Sequence, residues 1–307
     1  MRALTVKPAR LRVDSVFRPA DVNLQGGCMP QGNSKLVLLG TGTPNAEPTR
    51  SGPSVAVAVG DRPYLFDFGP GVVRQAAAAF EKGLRALAPP RLTRAFLTHL
   101  HSDHTIGYPD LILTPWTLGR REPLAVFGPP GLRAMTDGIL SAYREDIRER
   151  LEGLEPANEA GCQVDVTEIE PGLVYRDEHI EIEAFAVHHG SWPAFGYRVT
   201  APDRVFVISG DTAPFPDWER VYAGCDVLVH EVGSAVGLVE RTAEWQAYHH
   251  AFHTTTEQLA DVASIAKPRL LVLTHALTHG VSEEDLLAEV REGYNGSVLL
   301  GRDLDVF

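Results

Sequence analysis

The stretch FLTHLHSDHTIGYPDL, Phe96 to Leu111, decides how this chain is read. An apolar run, FLTHL, gives way to His99, His101, Asp103 and His104. Core packing has no use for that cluster, because each imidazole or carboxylate withdrawn from water costs free energy unless something pairs with it. The segment is therefore a solvated loop or the surround of a cation. On an extended backbone His99 and His101 point to the same side. Once the chain turns, Asp103 and His104 swing to a neighbouring position, so one short segment can supply donors to two metals. Imidazole nitrogen and carboxylate oxygen suit zinc, and to a lesser degree iron or manganese.

Reading outward, KLVLLGTGTP, RAFLTHL, HIEIEAFAVHH, RVFVISGDT, CDVLVHEV and PRLLVLTHAL each read as a strand. His99, His189, Asp211, Glu231 and His275 stand at or near the ends of these runs. SVAVAVGDRPYLFDFG reads as a hairpin, and VVRQAAAAFEKGL as a helix closing near Gly83. LRAMTDGILSAYREDIRERLEGL reads as one helix, and TTTEQLADVASIA as a helix with a Thr254–Glu257 capping box. Strands that alternate with helices predict an α/β fold of sheet layers covered by helices. Ligands in such folds bind at the carboxyl ends of strands, so these polar termini can meet at one site. A metal pair roughly 3.5–4 Å apart needs a bridging carboxylate and a bridging hydroxide. Asp211 is the obvious bridge, with His189 and His275 to complete the two shells. One histidine at a strand end is more often a hydrogen-bonded core or surface residue. The clustered set makes that reading a poor one.

Bulk properties set limits. The chain has 307 residues and a formal net charge of −12, which argues against a sequence-independent hold on nucleic acid. Cys28, Cys162 and Cys225 do not form a disulfide framework, and Cys225 reads as a buried free thiol. No run reaches the length of a membrane span, and MRALTVKPARLRVDSVF lacks the apolar segment of a signal peptide. A cytoplasmic protein without a membrane partner is expected. Residues 1–34 read as an N-terminal extension and 35–307 as a single domain.

THLHSDHTIG resembles the signature of the metallo-β-lactamase superfamily. LLGTGTPNAEPTRSGPS, HHGSWPAFGYRV, ISGDT, VLVHEV, HTTTEQLADVA and LVLTHAL resemble its ribonuclease Z, phosphodiesterase and arylsulfatase branch. The resemblance implies a four-layer αββα sandwich, two mixed β-sheets flanked by helices. It implies a dinuclear zinc hydrolase in which a metal-bridging hydroxide attacks an ester. His99, His101 and His189 would hold one zinc, Asp103, His104 and His275 the other, and Asp211 would bridge. His188 stays an alternative to His189, although the His-Gly step fits His189 better. His253 resembles the branch's proton-donating histidine, beside the glutamate matching Glu231, so the catalytic candidates are Asp103, His253 and Glu231. Asp67 is expected to orient a metal-binding histidine. His230 should face away, and His179, His249, His250 and His279 receive no role. Trp192 and Phe195 are expected at the rim.

Two lookalikes fall away. Class B β-lactamases use a cysteine ligand, and none of the three cysteines lies at a suitable strand end. Flavodiiron proteins carry a glutamate where His101 stands. The chain also departs from transfer-RNA-processing members, which carry a Gly- and Lys-rich arm. Here no lysine occurs between Lys82 and Lys267, and REDIRERLEGLEPANEAGCQVDVTEIE is acidic. The expected substrate is thus a small anionic ester, most of all a phosphodiester, with transfer RNA not expected. Lactones, aryl sulfates and a non-catalytic zinc scaffold are the alternatives. Family members commonly dimerise, so a homodimer is the expected assembly if any forms.

Overall fold

The computed structural model describes residues 34–307. Cys28 and the N-terminal extension expected over residues 1–34 lie outside the described residues, apart from Ser34. The first sheet takes β1 (Ser34–Gly40), β2 (Ser54–Val59), β3 (Arg62–Phe66), β4 (Arg94–Phe96), β5 (Leu124–Gly128) and β6 (Val164–Glu168) in chain order. Its first three strands pair antiparallel and the rest parallel. The second sheet contains β7 (Gly172–Arg176), β8 (Glu181–Ala186), β9 (Phe195–Thr200), β10 (Val205–Ile208), β11 (Val227–Gly233), β12 (Leu270–Leu277) and β13 (Val298–Leu300). It too begins antiparallel and continues parallel from β10 onward.

Side-chain alternation explains the layers. Leu36 and Leu38 of β1 point between the sheets, and Val37 and Leu39 point outward. The inner layer joins Val57, Phe66 and Phe96 to Ile182, Tyr197, Phe206, Val229 and Val272. On the outer face of the first sheet lie α1 (Val72–Glu81), α3 (Tyr108–Thr117) and α4 (Leu132–Ala142), while the short α2 (Ser102–Thr105) follows β4. Val73, Ala76, Leu111, Ile112 and Leu132 supply their buried faces. The second sheet is covered by α9 (Thr256–Ala266) and α10 (Glu283–Gly293), through Leu259, Val262, Leu286 and Val290. The remaining helices are α5 (Arg144–Glu152), α6 (Trp218–Tyr222), α7 (Ala235–Val239) and α8 (Ala243–Phe252). Helix, sheet, sheet, helix is the αββα order.

Two local expectations are corrected. The helix expected from Leu132 to Leu154 is two, α4 and α5, parted at Tyr143. The sequence REDIRERLE is charged on all sides and α5 buries none of its residues, so no packing holds it in line with α4. The capping box is Thr255 with Gln258, one residue later than expected. Thr254 is used elsewhere: its hydroxyl donates to the Thr212 carbonyl at 2.6 Å.

The C-terminal tail returns to β1. The amide of Leu36 donates to the Phe307 carbonyl and that of Phe307 to the Leu36 carbonyl, at 3.0 and 2.9 Å. Asp303 accepts from Thr41, Ser51 and Gln75, which ties the β1–β2 loop to the C-terminal tail. Cys162 and Cys225 are buried free thiols. Among the described residues no helix is long and apolar enough to cross a membrane.

Phe96 stacks on Phe66 and Phe127, with centroids 5.2 and 5.0 Å apart, at the centre of the inner layer. Phe96→Ala should cost about 3–5 kcal/mol, read as a lower midpoint in urea unfolding. A loss well under 1 kcal/mol would mean that this layer is not the core.

Candidate metal centre

The donors reach the site by different local devices. Beyond β4 the backbone bends at Thr98, runs on through His99, and folds into α2 with His101 as its N-cap. Asp103 and His104 thereby turn inward and are buried. Beneath them lies the tight turn FDFGPG. Asp67 there adopts φ 59°, and a Cβ on Gly69 would come within 2.4 Å of the Asp103 carbonyl oxygen. His189 and Asp211 follow β8 and β10, Asp211 preceded by Gly210 at φ 62°. His275 lies inside β12, where the register against β11 slips between Thr274 and Ala276. This bulge, with φ 45° at His275, re-aims the ring. Left-handed backbone at non-glycine residues is costly and gathers at functional sites.

Hydrogen bonds fix the tautomers. Thr98 donates its hydroxyl proton to Asp67, so it can only accept from His99 Nδ1, 2.9 Å away. His189 Nδ1 donates to the Phe252 carbonyl at 2.8 Å. Both Nε2 atoms are left as bare lone pairs. Both face His101 Nδ1, at 3.0 Å each. One imidazole proton cannot satisfy two such acceptors, but a cation between the three rings can. On the other side, His104 Nδ1 donates to Asp67 at 2.8 Å, and its Nε2 faces Asp103 and Asp211 at 3.5 Å each. A lone pair aimed at two carboxylates demands positive charge between them, a proton or a metal ion. His275 Nε2 stands 3.1 Å from Asp103 and 3.4 Å from Asp211. Asp211 also lies 3.9 Å from His99 Nε2, so its carboxylate adjoins both groups.

The donor atoms of His99, His101 and His189 lie within 4.8 Å of one another, as do those of Asp103, His104 and His275. Burial drives the proton affinity of His99 far down, lowers that of His101, and takes His189 to about 4. Neutral imidazole is the ligand form. Burial opposes charge on His104 as well, but the carboxylates of Asp211 and Asp67 outweigh it and hold that ring well above the ordinary value. Against the same burial, His275 and His104 pull Asp211 well below the usual carboxylate range.

His253 caps the end of α8 and is buried, with Nδ1 3.4 Å from Glu231 Oε2. The other Glu231 oxygen accepts from the amides of Thr254 and Thr212, at 2.8 and 3.3 Å. His188 is exposed and points away, whereas His189 is fully buried in the cluster. His230 faces the opposite layer and pairs with the Tyr222 hydroxyl at 3.1 Å. His179 lies in the β7–β8 turn, His250 is exposed, and His249 and His279 line the pocket. Trp192 rests against the His101 ring, 41% exposed. Phe195 is a core residue and not a rim one, because β9 turns it between the sheets. Thr98, Thr212 and Thr254 escaped sequence reading; the Thr98–His99 adjacency was the visible hint. The cluster opens into a pocket of about 510 Å³, walled by the Thr41–Arg50 loop, by Arg241, Trp245 and Tyr248, and by Thr278 to Gly280.

Comparison with known proteins agrees with this geometry. A family model described as a β-lactamase superfamily domain matches residues 62–276. Ribonuclease Z of Mycobacterium avium is 34% identical over 278 residues, covering 88% of this chain and 96% of that protein. The crystal structure of human tRNase Z, short form, superposes with TM-score 0.66 at 25% identity, over 89% of this chain and 98% of that one. The metallo-β-lactamase fold protein YhfI from Bacillus subtilis superposes with TM-score 0.67 at 16% identity, over 89% and 98% of the two chains. The chain belongs to the β-lactamase superfamily, in its ribonuclease Z-like branch. It is a metal-dependent hydrolase acting on ester bonds, and the fold implies divalent metal ions.

These relatives overturn the expectation of a small-molecule ester and no transfer RNA. The mycobacterial protein is named a ribonuclease and the human one a tRNase, and both match most of the chain. The acidic segment is also not at the site. It contributes no residue to the pocket, and its arginines pair internally, Arg148 with Glu145 and Arg150 with Asp146 and Glu155.

Two outcomes test the centre. Asp67→Ala leaves His104 and Thr98 without their acceptor and should weaken metal binding roughly 10–100-fold in a competitive chelator titration. Filling the site at pH 7 should release protons, since His104 holds one in the metal-free protein, and affinity should fall as the pH is lowered. Calorimetry in buffers of different ionisation enthalpy measures that release, and none at all would contradict the charge balance drawn above.

Proposed function

We propose that residues 35–307 act as one hydrolase domain that cleaves phosphodiester bonds in RNA, transfer RNA included, at a dinuclear zinc site. His99, His101 and His189 would hold one ion, Asp103, His104 and His275 the second, with Asp211 between them. The observation that carries this reading is the meeting of these donors in two adjoining groups, with lone pairs and carboxylates facing one another and too few protons to separate them. Nitrogen and oxygen donors without thiolate suit zinc, and iron or manganese accept the same set. Divalent cations held there supply Lewis acidity and lower the pKa of water towards neutrality.

The chain's own residues divide the remaining work. Asp67 and Thr98 hold the rings of His104 and His99 in the tautomers that face the centre. His253 lines the pocket and delivers a proton to the departing oxygen. Glu231, anchored by two backbone amides, stands beside the His253 ring and orients it. The pocket takes the few nucleotides around the scissile bond and leaves the rest of an RNA outside. The acquisition of RNA by an acidic protein then depends on local charge at that mouth, not on net charge.

Metal analysis of the purified protein should find about two zinc equivalents per chain, the stoichiometry of two-metal hydrolases. Asp211→Ala should lose one or both with nearly all cleavage of a transfer-RNA precursor transcript. His253→Ala should keep both ions and slow cleavage by roughly 10²–10⁴, the range for a lost general acid. Loss of metal in His253→Ala would refute the proton-donor role, and a metal-loaded wild type inert on every RNA offered would refute the substrate assignment.

A further inference from the structure

One pocket wall carries two large aromatic side chains, Trp245 and Tyr248, that stay exposed. α8 buries none of its residues. It nevertheless presents Trp245, Tyr248, His249 and Phe252, at the spacing that gathers side chains into one stripe. Trp245 is 56% exposed and Tyr248 37% exposed, and both line the pocket that contains His253 and His275. The rings brace one another. Trp245 meets Tyr248 edge to face with centroids 5.6 Å apart, and Tyr248 stacks on Phe252 at 4.5 Å. His249 lies under Trp245 at 5.8 Å and against His279 at 4.4 Å. Flat apolar surface left open to water is unfavourable unless a ligand covers it.

Arg241 precedes this helix and lines the same pocket. Among the described residues its guanidinium makes no ion pair. Arg50, on another wall, is engaged by Glu283, Thr41 and the Gly301 carbonyl. An open aromatic face beside a free guanidinium matches a nucleotide, which carries a planar base and an anionic phosphate. A protein partner seated on the same rings would close the pocket over the catalytic residues, so a group small enough to enter is the better occupant.

We propose that Trp245 and Tyr248 form a stacking platform for a nucleobase of the RNA strand flanking the scissile bond, with Arg241 pairing to a phosphate of that strand. This rests on the reading of the substrate as RNA. The platform sets which strand conformations enter the pocket, because a base must be unstacked from its neighbours to lie on the ring. Stacking tolerates all four bases, so the platform selects single-stranded RNA without selecting sequence.

Calorimetric titration of the metal-loaded protein with a five-nucleotide oligouridylate, and with an abasic ribose-phosphate strand of the same length and charge, tests the proposal. The wild type should bind the base-containing strand tighter by roughly 5–150-fold, the range for one stacked base. Trp245→Ala combined with Tyr248→Ala should bind both strands alike with unchanged metal content, and Trp245→Phe should retain most of the preference. Equal binding of the two strands by the wild type, binding of neither, or a preference surviving in the double variant would overturn the platform. Cleavage is scored separately. A wild type that prefers the base-containing strand but cuts no RNA would leave the platform and remove the proposed activity, whereas a wild type that cuts RNA without the preference would do the reverse.

Discussion

The structure depends on charge compensation in a buried space. His99, His104, Asp103, Asp211, His189 and His275 are almost wholly withdrawn from water within a few ångströms of one another. Lone pairs face lone pairs across the three-histidine group, and carboxylates crowd each other in the second. Desolvated like charges and unshared lone pairs cost several kcal/mol each in such surroundings. Only positive charge between them makes the arrangement tolerable. The division into a neutral histidine group and an anionic group prepares two different coordination environments side by side.

The fold exists to hold that arrangement against its own repulsion. Two sheets packed through Phe66, Phe96, Tyr197 and Phe206 make a floor, and the donors come from the segments that follow β4, β8 and β10 and from His275 within β12. Where the regular lattice would aim a side chain wrongly, the backbone departs from it. The bulge at His275 and the left-handed turn at Asp67 are such departures. Their cost is borne by the surrounding sheet, through the Thr98 amide and hydroxyl on Asp67 and the strand pairing on either side of His275. The C-terminal tail adds a further restraint, since Asp303 clamps the loop that forms one pocket wall.

Around this centre the walls carry the selectivity. The chain is acidic overall, yet Arg50, Arg241 and exposed aromatic rings gather at the pocket. Net charge describes long-range behaviour, whereas recognition is decided by the few groups in contact. That distinction explains why the acidic tract around α5 misleads. Its arginines are taken up by neighbouring carboxylates, and its helix takes no part in the pocket.

The linear chain by itself determined the class of architecture and the identity of the donors. Strand runs ending in histidine or aspartate are local patterns, and the His99–His104 spacing carries its chemistry in six consecutive residues. Tertiary structure alone decided which donors face one another. Whether His188 or His189 turns inward depends on the phase of β8 against its neighbours, and His275 depends on a bulge that no periodicity announces. The role of Thr254 depended on a partner distant in sequence, the Thr212 carbonyl, which displaced the expected capping box by one residue. The platform on α8 was illegible for the same reason. Aromatic residues at helical spacing ordinarily mean a buried face, and only the packed molecule shows that Trp245 and Tyr248 open into the pocket while Phe252 lies against His189.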